Sequence, residues 1–504
     1  MMPKSAHVGT AEPAHGEAAT AFEEASRGAW WRDAAAACTI VGLVVVTKLP
    51  TLHVPTYWDE MPWFAQARWL AAGSLLRALP GWREPWRFYG HPTGLHATFA
   101  AAAAVFGPSL VVAHVIVAIF AGVGVWFTYR LGATLFDART GVLAAFALLT
   151  APLWFAQAGM FLGDVPAAAL GVATVHLALR RSHAAYLACA SYMMLLKETT
   201  IALVGALLVW RALVCGDAWT RQGRRRLALL AVAFVPIAAF ALLQRLETGQ
   251  YFFILDPRIF DCQLFEVRPA MMRKQLGLIT TWIFVAQHRW IFTAAIVASL
   301  LVDRAAWRRR ELALFVLIGL ASGYAFVGLY FLPRYLMPVL PFFYLAGGWA
   351  VTRLAARTRH AAVVIAAVAI ASASSLVLTP FASNGEVDLH YLDVVRTHRA
   401  IASTIASAYG GARVLTAWPH TSEFTQPELG WVAAPLPVVS LPPRVAAAQR
   451  DAVIASLAPD LVLVSPFPPT DGMTELRDYA IGHGWTMVRR EEVGPVVSEL
   501  YARP

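Results

Sequence analysis

The chain reads as an α-helical polytopic membrane protein of about eleven transmembrane helices, followed by a small C-terminal extracytoplasmic α/β domain. Three observations carry that reading. The 504 residues are 58% hydrophobic and 14% charged, with a mean hydropathy of +0.56, far from a soluble globular average. Apolar runs of span length recur from residue 34 to residue 380 with short basic clusters between them. Beyond 380 the pattern changes to short amphipathic helices alternating with strand-like runs.

Residues 1–30, rich in Ala, Glu, His and Gly without periodicity, are expected to form a disordered cytoplasmic tail. Trp30, Trp31 and Arg32 precede the first apolar run, and more membrane follows it, so that run is expected to be a retained anchor rather than a cleaved leader. The transmembrane domain then occupies 31–380. Its expected spans are 34–52, 108–129, 141–158, 162–180, 184–197, 199–214, 227–247, 276–302, 312–332, 335–353 and 361–380, with "QHR" at 287–289 interrupting one of them. The basic clusters at 30–32, 130–139, 180–183, 221–226, 303–310 and 357–360 all fall on the cytoplasmic side of this threading, provided that the short run 92–106 does not cross. The same parity puts the first loop, 53–107, outside, together with 158–163, 197–198, 248–275 and 332–335. Asp59, Glu60, His91, Asp164, Lys197, Glu198, Arg334 and Tyr335 thus converge on one external side.

The C-terminal domain, 381–504, is expected outside as well. It reads as helix 399–409, strand 412–418, helix 444–458, strand 459–466, helix 475–485 and a hairpin over 486–503 that turns at Gly494 and Pro495. The excess of 41 Lys and Arg over 31 Asp and Glu lies in the short clusters, as topology signals do, and requires no nucleic-acid partner. Cys38, Cys189, Cys215 and Cys262 suggest neither a disulfide nor a metal site.

Read on their own, most of the charged candidates have plain structural explanations. Asp59 and Glu60 stand just before an apolar stripe formed by Trp63, Phe64, Ala67, Leu70 and Ala71, where a carboxylate favours a helix N-terminus. Asp164 before Pro166 fits a cap, Lys197 and Glu198 an ion pair, and Arg334 a side chain reaching for the interface. Trp58, Trp63, Trp69, Trp82, Trp86 and Tyr89 fit an interfacial aromatic belt, and the external loop 251–260, with Asp256 and Arg258, borders any cavity there.

Taken in order, however, "WDE" (58–60), "ARWLAAG" (67–73), "YGHPTGLHATF" (89–99), "MFLGDVPAAALGVA" (160–173), "LLKETT" (195–200) and "LPRYLMPVLP" (332–341) resemble the GT-C superfamily of membrane glycosyltransferases. The branch they resemble uses polyprenyl-phosphate sugars and includes protein O-mannosyltransferases and lipid A aminoarabinose transferases. Thr93 stands where that branch often has a second proline, and 385–504 carries no catalytic motif of the family.

The resemblance implies transfer of a sugar from a polyprenyl-phosphate donor to an acceptor at the external face of the cytoplasmic (inner) membrane. Asp59 takes the place of the base, with Glu60 as the second catalytic carboxylate or as an orienting one. Lys197 and Arg334 are implied as contacts to the donor phosphate, with Arg289 a third candidate. Asp164, His91, Glu198 and Tyr335 complete the substrate-binding set. No cofactor is expected. A divalent metal held by His91 with the carboxylates is not assigned, because the spacing supports no geometry. Membrane lipids surround the protein, and the acceptor, whether glycan, lipid or protein, is left open. The alternative is a transporter or flippase of a lipid-linked or small substrate, since interfacial charges also mark transport paths. The paired half-repeats typical of such folds are not evident in the sequence.

Overall fold

The computed structural model describes residues 14–73, 75–79, 91–249, 269–324, 327, 331–380, 386–441, 447–465 and 472–504. Trp82, Trp86, Tyr89 and the loop 251–260 lie outside them. Among the described residues, four helical stretches are long and apolar enough to cross a membrane: Trp31–Thr51, Leu110–Leu135, Arg221–Glu247 and Ala361–Leu378. Shorter apolar helices occupy Gly94–Phe106, Ala138–Leu149, Asp164–Leu179, His183–Leu196 and Trp290–Val302. Gly94–Phe106, at 13 residues, extends about 20 Å, too little for a hydrocarbon core of about 30 Å.

Several expected spans are broken where the backbone chemistry demands it. The run 141–158 divides into Ala138–Leu149 and Pro152–Gln157, because Pro152 lacks an amide hydrogen and its ring disfavours helix at the residue before it. The stretch 276–302 divides into Pro269–Phe284 and Trp290–Val302, and Gln287 and His288 in the break take left-handed φ values of 54° and 62°. The N-terminal tail also departs from expectation. Helix Ala14–Lys48 begins inside the segment expected to lack structure, consistent with the high helix propensity of its Ala and Glu residues.

Leu110–Leu135 is the central helix and packs against Ala14–Lys48, Ala138–Leu149 and Asp164–Leu179. Small residues permit that approach. A Cβ on Gly122 would lie 2.7 Å from the Val41 backbone, and one on Gly141 would lie 2.5 Å from the Tyr129 carbonyl oxygen. At the periphery, Val363, Ile370 and Val377 of the last long helical stretch are exposed, as expected of a lipid-facing side.

The C-terminal domain is a five-stranded sheet with helices. Its strands are β1 (Val414–Thr416), β2 (Val438–Ser440), β3 (Leu461–Val464), β4 (Thr486–Val493) and β5 (Val496–Ala502), in the order β2-β1-β3-β5-β4. The first three are parallel and the last two pair antiparallel. β3 is buried along its length, as the unbroken run Leu-Val-Leu-Val requires. The hairpin turns at Gly494, whose φ of +58° suits glycine.

This domain is docked on the first loop. The Thr56 amide donates to the Leu429 carbonyl (3.0 Å), and Trp431 Nε1 donates to the Thr56 carbonyl (2.9 Å). The rings of Trp58 and Trp418 meet edge-on at 4.3 Å between centroids.

Candidate active site

The helix Glu60–Ala71 fixes the first two acidic residues, and they diverge at once. Asp59 precedes the helix without capping it through its side chain, which is 36% accessible and accepts from Arg334 Nη2. Glu60, on the first turn, faces inward and is 1% accessible. Its oxygens accept from the Tyr57 amide (2.9 Å) and the Phe161 amide (2.6 Å), and Oε1 lies 2.8 Å from His114 Nε2. Both Glu60 oxygens are thus engaged by the chain's own groups in a buried setting.

Arg334 gathers residues from four distant parts of the chain. Besides Asp59, its Nη1 donates to both carboxylate oxygens of Glu386 (2.6 and 2.5 Å), and its Nε lies 3.7 Å from Asp164 Oδ2. That Nε is buried with no hydrogen-bond partner among the described residues. Asp164, at the start of its helix, also accepts from Lys197 Nζ. The Tyr335 ring lies 5.0 Å from Lys197 Nζ and 5.7 Å from the Arg334 guanidinium carbon. His91 Nδ1 contacts both oxygens of buried Glu198 (3.0 and 3.1 Å) and its ring lies 5.6 Å from that of Trp63.

Arg289 stands apart from this group. It is fully buried, its Nη1 reaches Gln287 (3.3 Å), and Gln287 in turn donates to the Val387 carbonyl (2.7 Å). With Gln157 Nε2 donating to the Glu386 carbonyl (2.8 Å), it braces the backbone behind Glu386.

Sequence reasoning missed Glu386 and His114. Glu386 lies at the domain boundary, in a polar segment with no recurrent motif around it. The available signal was an acidic run, "EVD", directly after the last apolar span and on the same expected side as Asp59. His114 is a lone imidazole inside an expected span, and only its meeting with Glu60 explains it.

Four acidic groups, Asp59, Asp164, Glu198 and Glu386, surround two fixed cations, Lys197 and Arg334. Burial and the neighbouring Asp59 and Asp164 push the Glu386 carboxyl up to about 8, against the pull of Arg334. Burial alone would discharge Arg334, but Glu386 and Asp59 outweigh it and keep the guanidinium charged.

Residues 90–243 match the family model described as dolichyl-phosphate-mannose-protein mannosyltransferase. Among solved structures, the chain is similar to ArnT from Cupriavidus metallidurans bound to undecaprenyl phosphate. The TM-score is 0.58 at 18% identity, over 94% of this chain and 98% of that one. The apo state of the same protein matches with the same TM-score and coverage at 16% identity. The Archaeoglobus fulgidus oligosaccharyltransferase in complex with zinc and sulfate matches at TM-score 0.54 and 12% identity, over 88% of this chain and 70% of that one. No curated protein matches the chain. At these identities the solved structures establish a shared fold, and with the family match they bear out the GT-C resemblance read from the sequence.

Proposed function

We propose that the protein is a GT-C-type glycosyltransferase that moves a sugar from a polyprenyl-phosphate donor to an acceptor at the external face of the cytoplasmic membrane. The observation that carries this is the pairing of an accessible carboxylate, Asp59, with a buried guanidinium, Arg334, that keeps one donor unsatisfied. Transfer to a hydroxyl needs a base beside the acceptor and positive charge beside the departing phosphate, and this pair supplies both. The undecaprenyl phosphate bound in the similar ArnT structure supports the choice of donor class.

In the resting site Asp59 is held by Arg334. An arriving donor phosphate presents acceptor oxygens to the free Nε and to the forked guanidinium, competing with the carboxylates already there. Asp59 is thereby released from its ion pair and is free to face the acceptor hydroxyl beside the sugar. The acceptor oxygen attacks the anomeric carbon, the carbon–oxygen bond to phosphate breaks, and polyprenyl phosphate leaves with the electron pair. The acceptor proton goes to Asp59. Lys197, beside Asp164, supplies a second cation for the leaving group, and Tyr335 and His91 border the sugar. The C-terminal domain, through Trp418 and Trp431, covers the loop that bears Asp59.

The transport alternative has no such support, since neither the family match nor the similar structures favour it. The class of reaction is tested in proteoliposomes containing the purified chain, a polyprenyl-phosphate sugar and an envelope extract as acceptor. The reading expects release of free polyprenyl phosphate and a glycosylated product. Movement of intact donor across the bilayer without bond cleavage contradicts it. Cysteines placed in the first loop and in the C-terminal domain should both react with an impermeant reagent from outside, and protection of either overturns the proposed sidedness.

A further inference from the structure

Outside the Arg334 cluster, a second buried group of titratable side chains sits inside the C-terminal domain. His398 comes from the helix Tyr391–Ala408, and His420 and Glu423 come from one face of the short helix His420–Thr425. One ligating atom from each lies within 4.8 Å of the other two, and all three side chains are at most 1% accessible.

We propose that His398, His420 and Glu423 form a binding site for a divalent transition metal of the zinc class, which secures the C-terminal domain against the loop carrying Asp59. Two imidazoles and one carboxylate are a donor set that zinc accepts. Glu423 Oε2 lies 3.1 Å from His398 Nδ1 and 2.7 Å from His420 Nδ1. Metal–ligand bonds of about 2.0–2.1 Å at tetrahedral angles give ligand–ligand edges of about 3.3 Å, so both Glu423 edges would lengthen by about half an ångström or less to admit an ion.

The surroundings of the cluster also suit a metal. His398 Nε2 is held by Ser465 Oγ (3.1 Å), which in turn meets Ser498 Oγ (2.9 Å), an outer contact that fixes the ring and leaves Nδ1 for a ligand. His420 Nε2 is buried without a hydrogen-bond partner among the described residues, and the ring packs on Phe424 while its Nδ1 faces Glu423. Among the described residues, the ion-pair partners of Glu423 are these two histidines. With both imidazoles neutral, a buried anion is left uncompensated, and either a proton or a metal ion must balance it.

The position gives such an ion a purpose. Trp418, two residues before His420, packs on Trp58. Trp431, whose ring lies 5.7 Å from that of His398, donates to the Thr56 carbonyl. Two of the contacts that dock the domain on the first loop therefore lie next to the proposed ligand set.

The experiment uses the full chain, purified in detergent, stripped with a chelator and titrated with cobalt(II) and zinc(II), so its readout does not depend on turnover. The wild type is expected to take up one equivalent per chain, with visible cobalt bands of a four-coordinate site and a raised melting temperature. Glu423→Gln keeps the shape and should lower metal affinity by more than about tenfold while the protein remains monodisperse. His398→Gln provides a second variant with the same expectation. Failure of the wild type to bind either metal, or equal uptake by wild type and Glu423→Gln, overturns the proposal and leaves a proton shared among the three side chains.

Discussion

Asp59 and Glu60 are adjacent in the chain yet belong to two different regions of the molecule. Asp59 stands at the edge of an ion cluster that solvent can reach, beside Arg334. Glu60 is sealed inside and ties the first loop to Phe161 and to His114 of a membrane helix. One residue of separation at a helix start turns the side chain by about 100°, so the two carboxylates cannot share a role. A pair of acidic residues in a motif therefore does not make a catalytic dyad. Burial and hydrogen-bond saturation decide which member meets substrate and which holds the scaffold.

The largest expected effect comes from removing the centre of the open region. Arg334→Leu leaves Asp59, Asp164 and Glu386 facing one another without their shared cation, and breaking a buried pair in this way costs about 3–5 kcal/mol. Thermal unfolding in detergent should shift down markedly, and transfer should be lost. A variant as stable as the wild type would mean that the cluster is looser than the geometry implies.

Next comes the sealed region. Glu60→Gln retains the volume but replaces one carboxylate oxygen with an amide nitrogen, which cannot accept, so the Tyr57 amide on Oε2 and the Phe161 amide and His114 on Oε1 cannot all be served. A loss of about 1–3 kcal/mol is expected, with turnover per folded molecule largely kept. Wild-type stability combined with lost turnover would reverse the assignment of the two carboxylates.

A pH measurement sharpens the contrast. The Glu386 carboxyl is raised in the fold, from 4.5 to about 8, by burial and by its acidic neighbours. Between those two values the unfolded chain binds fewer protons than the folded one, so this group makes stability fall as pH rises from about 4.5 to 8. Glu386→Gln should remove that slope. Identical pH profiles for wild type and Glu386→Gln would remove Glu386 from the account.

The smallest effects are expected from conservative changes to the phosphate contacts. Lys197→Gln and Arg334→Lys should weaken use of the lipid donor more than use of the acceptor, since a point charge or an amide replaces a charge-assisted contact. An unchanged dependence on donor concentration in both variants would assign these residues to packing alone.

Much of this architecture was legible in the sequence because its determinants are local. Apolar run length marked the helical segments, and alternation with Gly494 at the turn marked the final hairpin of the C-terminal domain. The short strand β2 and the helix His420–Thr425 were missed, since three to six residues carry too little periodicity to register. The ordered motifs brought Asp59, Asp164, Lys197 and Arg334 onto one expected side, and the structure joins them through ion pairs. What the sequence did not reveal is orientation and distant pairing. Nothing local distinguishes Glu60 from Asp59, and Glu386 gains its meaning only from an arginine 52 residues earlier in the chain.

The central claim is that Asp59 is the base and Glu60 is not. Its most direct test places Asp59→Asn and Glu60→Gln side by side in the same donor-cleavage assay, normalised to folded protein. Asp59→Asn keeps the shape and removes the basic oxygen, so folding should persist while transfer falls by about 10²–10⁴-fold. Glu60→Gln should stay within about tenfold of wild type per folded molecule, its deficit appearing in stability instead. Near-normal transfer by Asp59→Asn would contradict the account, and more decisively so if Glu60→Gln were the inactive member of the pair.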